Sequence, residues 1–135
     1  MFYLLKELNG ANNVGSTMKI PVSAGTYQLC SVLTADGAKA TGTAVGAYIV
    51  MEGGANGKVI PTGGGDMLVT PINGDMIFET ALGRAGTENL AVGDKVSIHT
   101  DSLTIDPTTE GALEVVEATD AHTQGTKVRV KFIKE

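Results

Sequence analysis

With 135 residues, 18 of them glycine and only 4 proline, the chain is sized for one domain of short elements joined by tight turns, and a collagen-like or low-complexity tract is excluded. A formal net charge of −5 argues against nucleic acid as a partner, because phosphate contacts need clustered Lys and Arg. A single cysteine, Cys30, excludes an intrachain disulfide and a zinc site of several thiolates.

The chain begins MFYLLKEL, which is apolar and aromatic, and continues into a polar run of small residues. This start lacks the basic leader and small-residue cleavage site of a secretory signal. No stretch approaches the roughly 18 apolar residues of a membrane-spanning helix. The expectation is synthesis in the cytoplasm, no export by this route and no membrane partner. Residues 1–16 read as an apolar segment with a polar linker, and residues 17–135 as the folded β-domain. Met1, Phe2, Tyr3, Leu4 and Leu5 either close one end of the core or dock on another chain. Phe2 to Leu5 are consecutive, so one strand face cannot bury them all, and cover on both faces is needed.

Residues 18–22 form a short strand candidate limited by Pro21. Residues 26–34 read as one strand, with Tyr27, Leu29, Ser31 and Leu33 opposite Gln28, Cys30 and Val32. On that strand Cys30 is a small buried hydrophobe. Ala35-Asp36-Gly37 signals a hairpin, and 38–43 returns as a weak polar strand. Residues 47–52 and 58–62 are strands separated by a glycine-rich turn at 53–57. Gly63-Gly64-Gly65-Asp66 invites comparison with a phosphate-binding loop. That loop needs a following Lys-Ser/Thr and a helix, whereas Met67-Leu68-Val69-Thr70 follows here and reads as strand. After a turn at 71–74, residues 75–80 alternate as a strand. Residues 81–92 read as a loop, with at most one helical turn near 85–90.

The last third alternates most clearly. In 94–100, Val96 and Ile98 lie opposite Lys95, Ser97 and His99. Residues 112–118 are apolar with Glu114 and Glu117 interspersed. In 126–132, Val128, Val130 and Phe132 face one way, and Lys127, Arg129 and Lys131 the other. A period of two means a sheet with one dry and one wet face. Val96, Ile98, Val115, Val128, Val130 and Phe132 are therefore expected to be buried. Lys127, Arg129, Lys131 and Lys134 read as a basic edge, balanced by cross-strand pairing to Glu114 and Glu117. The fold class is all-β: a single compact barrel or sandwich of about ten short strands.

The two halves echo each other. Asp36 precedes Gly46-Ala47 by ten residues, and Asp101 precedes Gly111-Ala112 by ten. Gly57-Lys58-Val59 and Gly125-Thr126-Lys127-Val128 follow. Two similar β-units are one reading. Reuse of common turn residues is the other.

Chemistry is sparse. His99, Asp101 and Ser102 are the right residue types for nucleophilic catalysis, but they crowd one turn, where a productive triad is hard to build. His122 stands apart in a turn-rich loop. The acids Asp101, Asp106, Glu110, Glu114, Glu117 and Asp120 do not match the calcium-loop spacing. The expectation is no catalytic residues, no metal and no cofactor.

Several stretches together resemble the small β-barrel capsid decoration, or head-stabilising, proteins of tailed bacteriophages. They are 25–37 with its Asp-Gly turn, Ala44-Val45-Gly46-Ala47-Tyr48-Ile49, Gly74-Asp75-Met76-Ile77-Phe78-Glu79-Thr80, Val92-Gly93-Asp94-Lys95-Val96 and 125–132. The resemblance covers about residues 17–133. It implies a virion protein on the outer capsid surface that binds the major capsid protein and cements neighbouring subunits. It further implies a homo-oligomer, with a trimer favoured over a monomer, and no enzymatic activity. The apolar start MFYLL departs from the more polar arm of that family. A tail or baseplate β-module and a small ligand-binding barrel are the alternatives.

Overall fold

The computed structural model describes residues 2–7, 17–53, 56–72, 76–86, 89–107, 110–118 and 123–133, with the backbone alone for 3–7. Among them the chain is all-β, in twelve short strands. The strands are β1 (Tyr3–Glu7), β2 (Met18–Val22), β3 (Gly25–Tyr27), β4 (Val32–Leu33), β5 (Tyr48–Val50) and β6 (Lys58–Ile60). They continue with β7 (Gly65–Pro71), β8 (Met76–Ala81), β9 (Lys95–Ile98), β10 (Ile105–Asp106), β11 (Leu113–Glu117) and β12 (Lys127–Phe132).

Strands β2 to β7 build the first unit. Its main sheet has the order β2-β7-β5-β4, and β3 and β6 form a separate ribbon. The period of two distributes this sheet's side chains between two cores. Leu33, Val50, Met67 and Val69, with Ile20 and Val22 on β2, turn to one side. Tyr27 and Ile60 from the β3–β6 ribbon cover that side. Val32, Ile49 and Ile72 turn to the other side and enter a larger core.

Strands β8 to β12, with β1, build the second unit as one antiparallel sheet in the order β1-β8-β12-β11-β9-β10. The sheet curls. Leu82, just past β8, forms a parallel bridge to Ile105 of β10. The larger core lies inside the curl. Val96, Ile98, Val115, Val128, Val130 and Phe132 are all buried there, as their alternation requires. Phe2, Phe78 and Phe132 meet at its centre with ring centroids 5.4–6.5 Å apart, and both contacts of Phe78 are edge-on. Such arrangements set the positive ring edge against a negative face, and each is worth about 0.5–1.5 kcal/mol beyond burial.

The units are joined by backbone as well as by shared core. Gly42 and Ile98 exchange two hydrogen bonds of 2.7 and 2.9 Å, and Val32 N donates to Ser102 O at 3.0 Å.

Three expectations need correction. The strand at 26–34 is broken: β3 ends at Tyr27 and β4 starts at Val32. Between them Cys30 takes a φ of 63°, a left-handed conformation that no strand continues through. The return strand at 38–43 shrinks to single bridges at Lys39 and Gly42. Strand β12 is central, flanked by β8 and β11, so its basic residues do not guard an edge. Near 85–90 the described residues 85, 86, 89 and 90 are not helical, and 87–88 lie outside the described set.

The echo survives in part. In each half a strand (β4, β9) pairs with a weak return (Lys39, β10) and then with the Gly-Ala strand (β5, β11). The fourth member differs. Strand β12 pairs with β11, whereas β6 leaves β5 to β7 and joins β3.

Candidate functional site

The residues with the composition of a catalytic triad sit together on the β9–β10 hairpin and do three separate structural jobs. Asp101 caps the turn: its Oδ1 accepts from Leu103 N at 2.8 Å and Thr104 N at 3.0 Å. Such local bonds are what an Asp in a turn commonly makes. Ser102 is 1% exposed, with a φ of 59°, and its Oγ donates to Ala40 O at 2.7 Å. That hydroxyl is therefore aimed at the first unit. His99 Nδ1 lies 2.7 Å from Asp106 Oδ1, and Arg84 Nε lies 3.5 Å from the same oxygen. The carboxylate that orients His99 is thus Asp106, not Asp101. Asp106 appears in the sequence only as one of a scattered acidic set, and its pairing follows from β10 folding back along β9.

The other sequence candidates are also placed. Gly63 and Gly64 have φ of 99° and 85° in the turn that enters β7, with no helix after them. Among the described residues no three His, Cys, Asp or Glu side chains converge as a metal site would require, and His122 lies outside them. Cys30 is half-buried against the larger core, and that burial pushes its thiol pKa up. A raised thiol pKa lowers the thiolate fraction, the opposite of what a nucleophile needs.

The outer face of the second sheet carries a charged ladder. Arg129 reaches Glu117 at 3.0 Å and Glu79 at 3.5 Å, while Lys127 reaches Glu79 at 3.8 Å. Lys95 reaches Glu114 at 3.3 Å. These are cross-strand pairs at the surface, worth little individually. Glu79 takes up two of the cations, and nothing in the alternation of 126–132 points to it. It comes from β8, which the chain order hides as a neighbour of β12.

In the first unit, Glu52 ties three strands together. It accepts from Leu68 N at 2.7 Å and pairs with Lys58 Nζ at 2.9 Å. The Leu68 amide first, then Lys58, hold its carboxyl below the usual glutamate range. Thr34 and Asp36 bond across the first hairpin, and the Thr34 hydroxyl likewise lowers the Asp36 carboxyl.

The N-terminal segment has a definite position. Strand β1 pairs with β8 from Tyr3↔Glu79 to Glu7↔Met76, with a bulge between Leu4 and Lys6, and it is the terminal strand of its sheet. Phe2 is 1% exposed in the larger core, and its amide donates to Cys30 O at 3.0 Å. Phe2 is thus occupied within its own chain and has no face to offer a partner. Met1 lies outside the described residues, as do the side chains of Tyr3, Leu4 and Leu5. Among the described residues, the large apolar side chains that face solvent are Val59 (71% exposed), Val92 (64%), Met18 and Val45.

No protein-family model matches this chain, and no curated protein matches it.

Proposed function

We propose that the chain is a capsid decoration protein that binds the outer surface of a tailed-phage head and strengthens contacts between major capsid subunits. The reading is structural and non-enzymatic. It rests on the sequence resemblance over residues 17–133 and on one observation above the rest. An apolar N-terminal strand, β1, forms the edge of the six-stranded sheet and is anchored by Phe2 in the core. A terminal strand offers a row of backbone donors and acceptors to a neighbouring chain. The anchor keeps that edge in a fixed place, so a partner does not have to order it on binding. In this proposal Tyr3, Leu4 and Leu5 contribute to the contact while Phe2 holds them in position.

The test mixes the purified chain with whole tailed particles, lacking this chain, of the phage to which the proposal assigns it. Co-sedimentation, with added density on the outer shell by cryo-electron microscopy, is the expected result. Sedimentation velocity on the free chain separates a trimer from a monomer. Absence of binding to heads overturns the proposal, and density on tails instead moves the chain to the tail or baseplate alternative.

A further inference from the structure

Strand β10 is the last of its sheet and only two residues long. Two ladder pairs hold it to β9. On its other side it meets the chain beyond β8 through the single Leu82↔Ile105 bridge, where Gly83 N donates to Ile105 O at 2.7 Å. This seam is short beside the ladders elsewhere, such as the five paired positions of β2 and β7. Side chains reinforce it. Thr80 Oγ1 donates to Leu103 O at 2.9 Å, and His99 and Arg84 both approach Asp106 Oδ1. An ionised carboxylate only accepts, so His99 Nδ1 carries the proton in this pair.

Glycine at 83 is what lets the ring in. A Cβ there would fall 2.4 Å from His99 Cγ and 2.5 Å from Thr104 Oγ1. The imidazole occupies the space that a side chain on residue 83 would need. The tip of the hairpin is pinned in the opposite direction, to the first unit, by Val32 N to Ser102 O and Ser102 Oγ to Ala40 O. Any separation at the seam therefore leaves the hairpin on the first unit and the Leu82–Gly83–Arg84 segment on the second.

We infer that the β9–β10 hairpin is a latch, with His99 seated on Gly83 as its catch, and that the second unit opens along this seam while the first stays folded. Opening uncovers Leu82 and Ile105, which are 1% and 0% exposed when the latch is shut. The open state is therefore a minor one. It bares a second stretch of the β8 edge beyond the part that β1 covers.

Residue-resolved amide exchange by NMR on the whole chain tests this. The Gly83 amide is expected to exchange about tenfold or more faster than the Val50 and Met51 amides of the first sheet, because the seam opens below the global unfolding free energy. His99→Ala is expected to speed Gly83 by about another tenfold while β2, β5 and β7 keep their rates. His99→Asn, which keeps a donor near the Nδ1 position, is expected to restore most of the slow exchange. Gly83→Ala should mimic His99→Ala, and the double variant should be no faster than Gly83→Ala alone, since both remove one contact. If Gly83→Ala does not fold, the two His99 variants decide the matter. Faster exchange spread evenly over both units, or effects of Gly83→Ala and His99→Ala that multiply, would overturn the latch.

Discussion

Ile20, Val22, Tyr27, Leu33, Val50, Ile60, Met67 and Val69 close the smaller core from within the first unit, whereas the larger core draws on the whole chain. Val32, Ala40, Ile49 and Ile72 reach it from the first unit, and Phe2 reaches it from the N-terminal end. The difference is one of dependence. A core made of neighbouring strands closes with short loops, while a core gathered from distant segments forms only once they have all arrived. The first unit is thus expected to survive damage to the second, and the second is not expected to survive damage to the first.

The sharpest way to break that comparison is Gly111→Ala. Gly111 has a φ of 150°, and a Cβ would sit 1.9 Å from Val96 O, against backbone that cannot move aside. The loss is expected to exceed about 4 kcal/mol, at the extreme for a point change. NMR should show the β9–β12 resonances collapsing while those of β2, β5 and β7 persist. One common collapse would mean that the private core cannot stand alone. Next is Phe132→Ala, which removes one ring of the central trio and should cost about 3–5 kcal/mol in urea unfolding. A loss under about 1 kcal/mol would show that the aromatic contacts do not organise the larger core.

A smaller effect, of opposite sign, comes from the boundary between the cores. Thr70 is buried opposite Ile49, and its Oγ1 has no hydrogen-bond partner among the described residues. Thr70→Val removes that buried hydroxyl and is expected to raise stability by about 1 kcal/mol. A drop in the unfolding midpoint would mean that the hydroxyl is satisfied. The smallest effect concerns pH. The Glu52 carboxyl is depressed in the fold, so its contribution is complete above its ordinary pKa of 4.5 and is lost as pH falls through the lower folded value. The pair with Lys58 is partly exposed, which screens it. Glu52→Gln should lower the midpoint slightly at neutral pH and approach the parent's once that carboxyl is protonated, so the acid limb of the midpoint-versus-pH curve becomes flatter. An acid limb identical to the parent's would remove Glu52 from the account.

What could be read without coordinates was whatever repeats every second residue. Val96, Ile98, Val128 and Val130 announce their own faces, and the all-β class follows from them. Pairing order was not legible. The alternation in 126–132 is the same for a central strand as for an edge strand, so Glu79 stayed hidden as the partner of Arg129. The break at Cys30 was invisible because a left-handed φ is usually marked by Gly or Asn, and Cys carries no such mark. At the hairpin, the residue types at His99, Asp101 and Ser102 were plain. Asp101 is satisfied within its own turn, whereas what His99 and Ser102 meet depends on Asp106 folding back along the hairpin and on Gly83 and Ala40, which come from separate parts of the chain.

Cys30 also supplies a reporter that needs no engineering. Its carbonyl accepts the Phe2 amide, and its half-buried side chain lies against the core that Phe2 enters. If β1 is pulled from its place when a partner binds, Phe2 leaves that core and the Cys30 side chain packed against it is expected to become more exposed. The only thiol in the chain then gains exposure, and its alkylation accelerates. A single mass shift, followed with time in the presence and absence of capsid, would thus measure whether attachment uses the N-terminal strand in place or after it has left its own sheet.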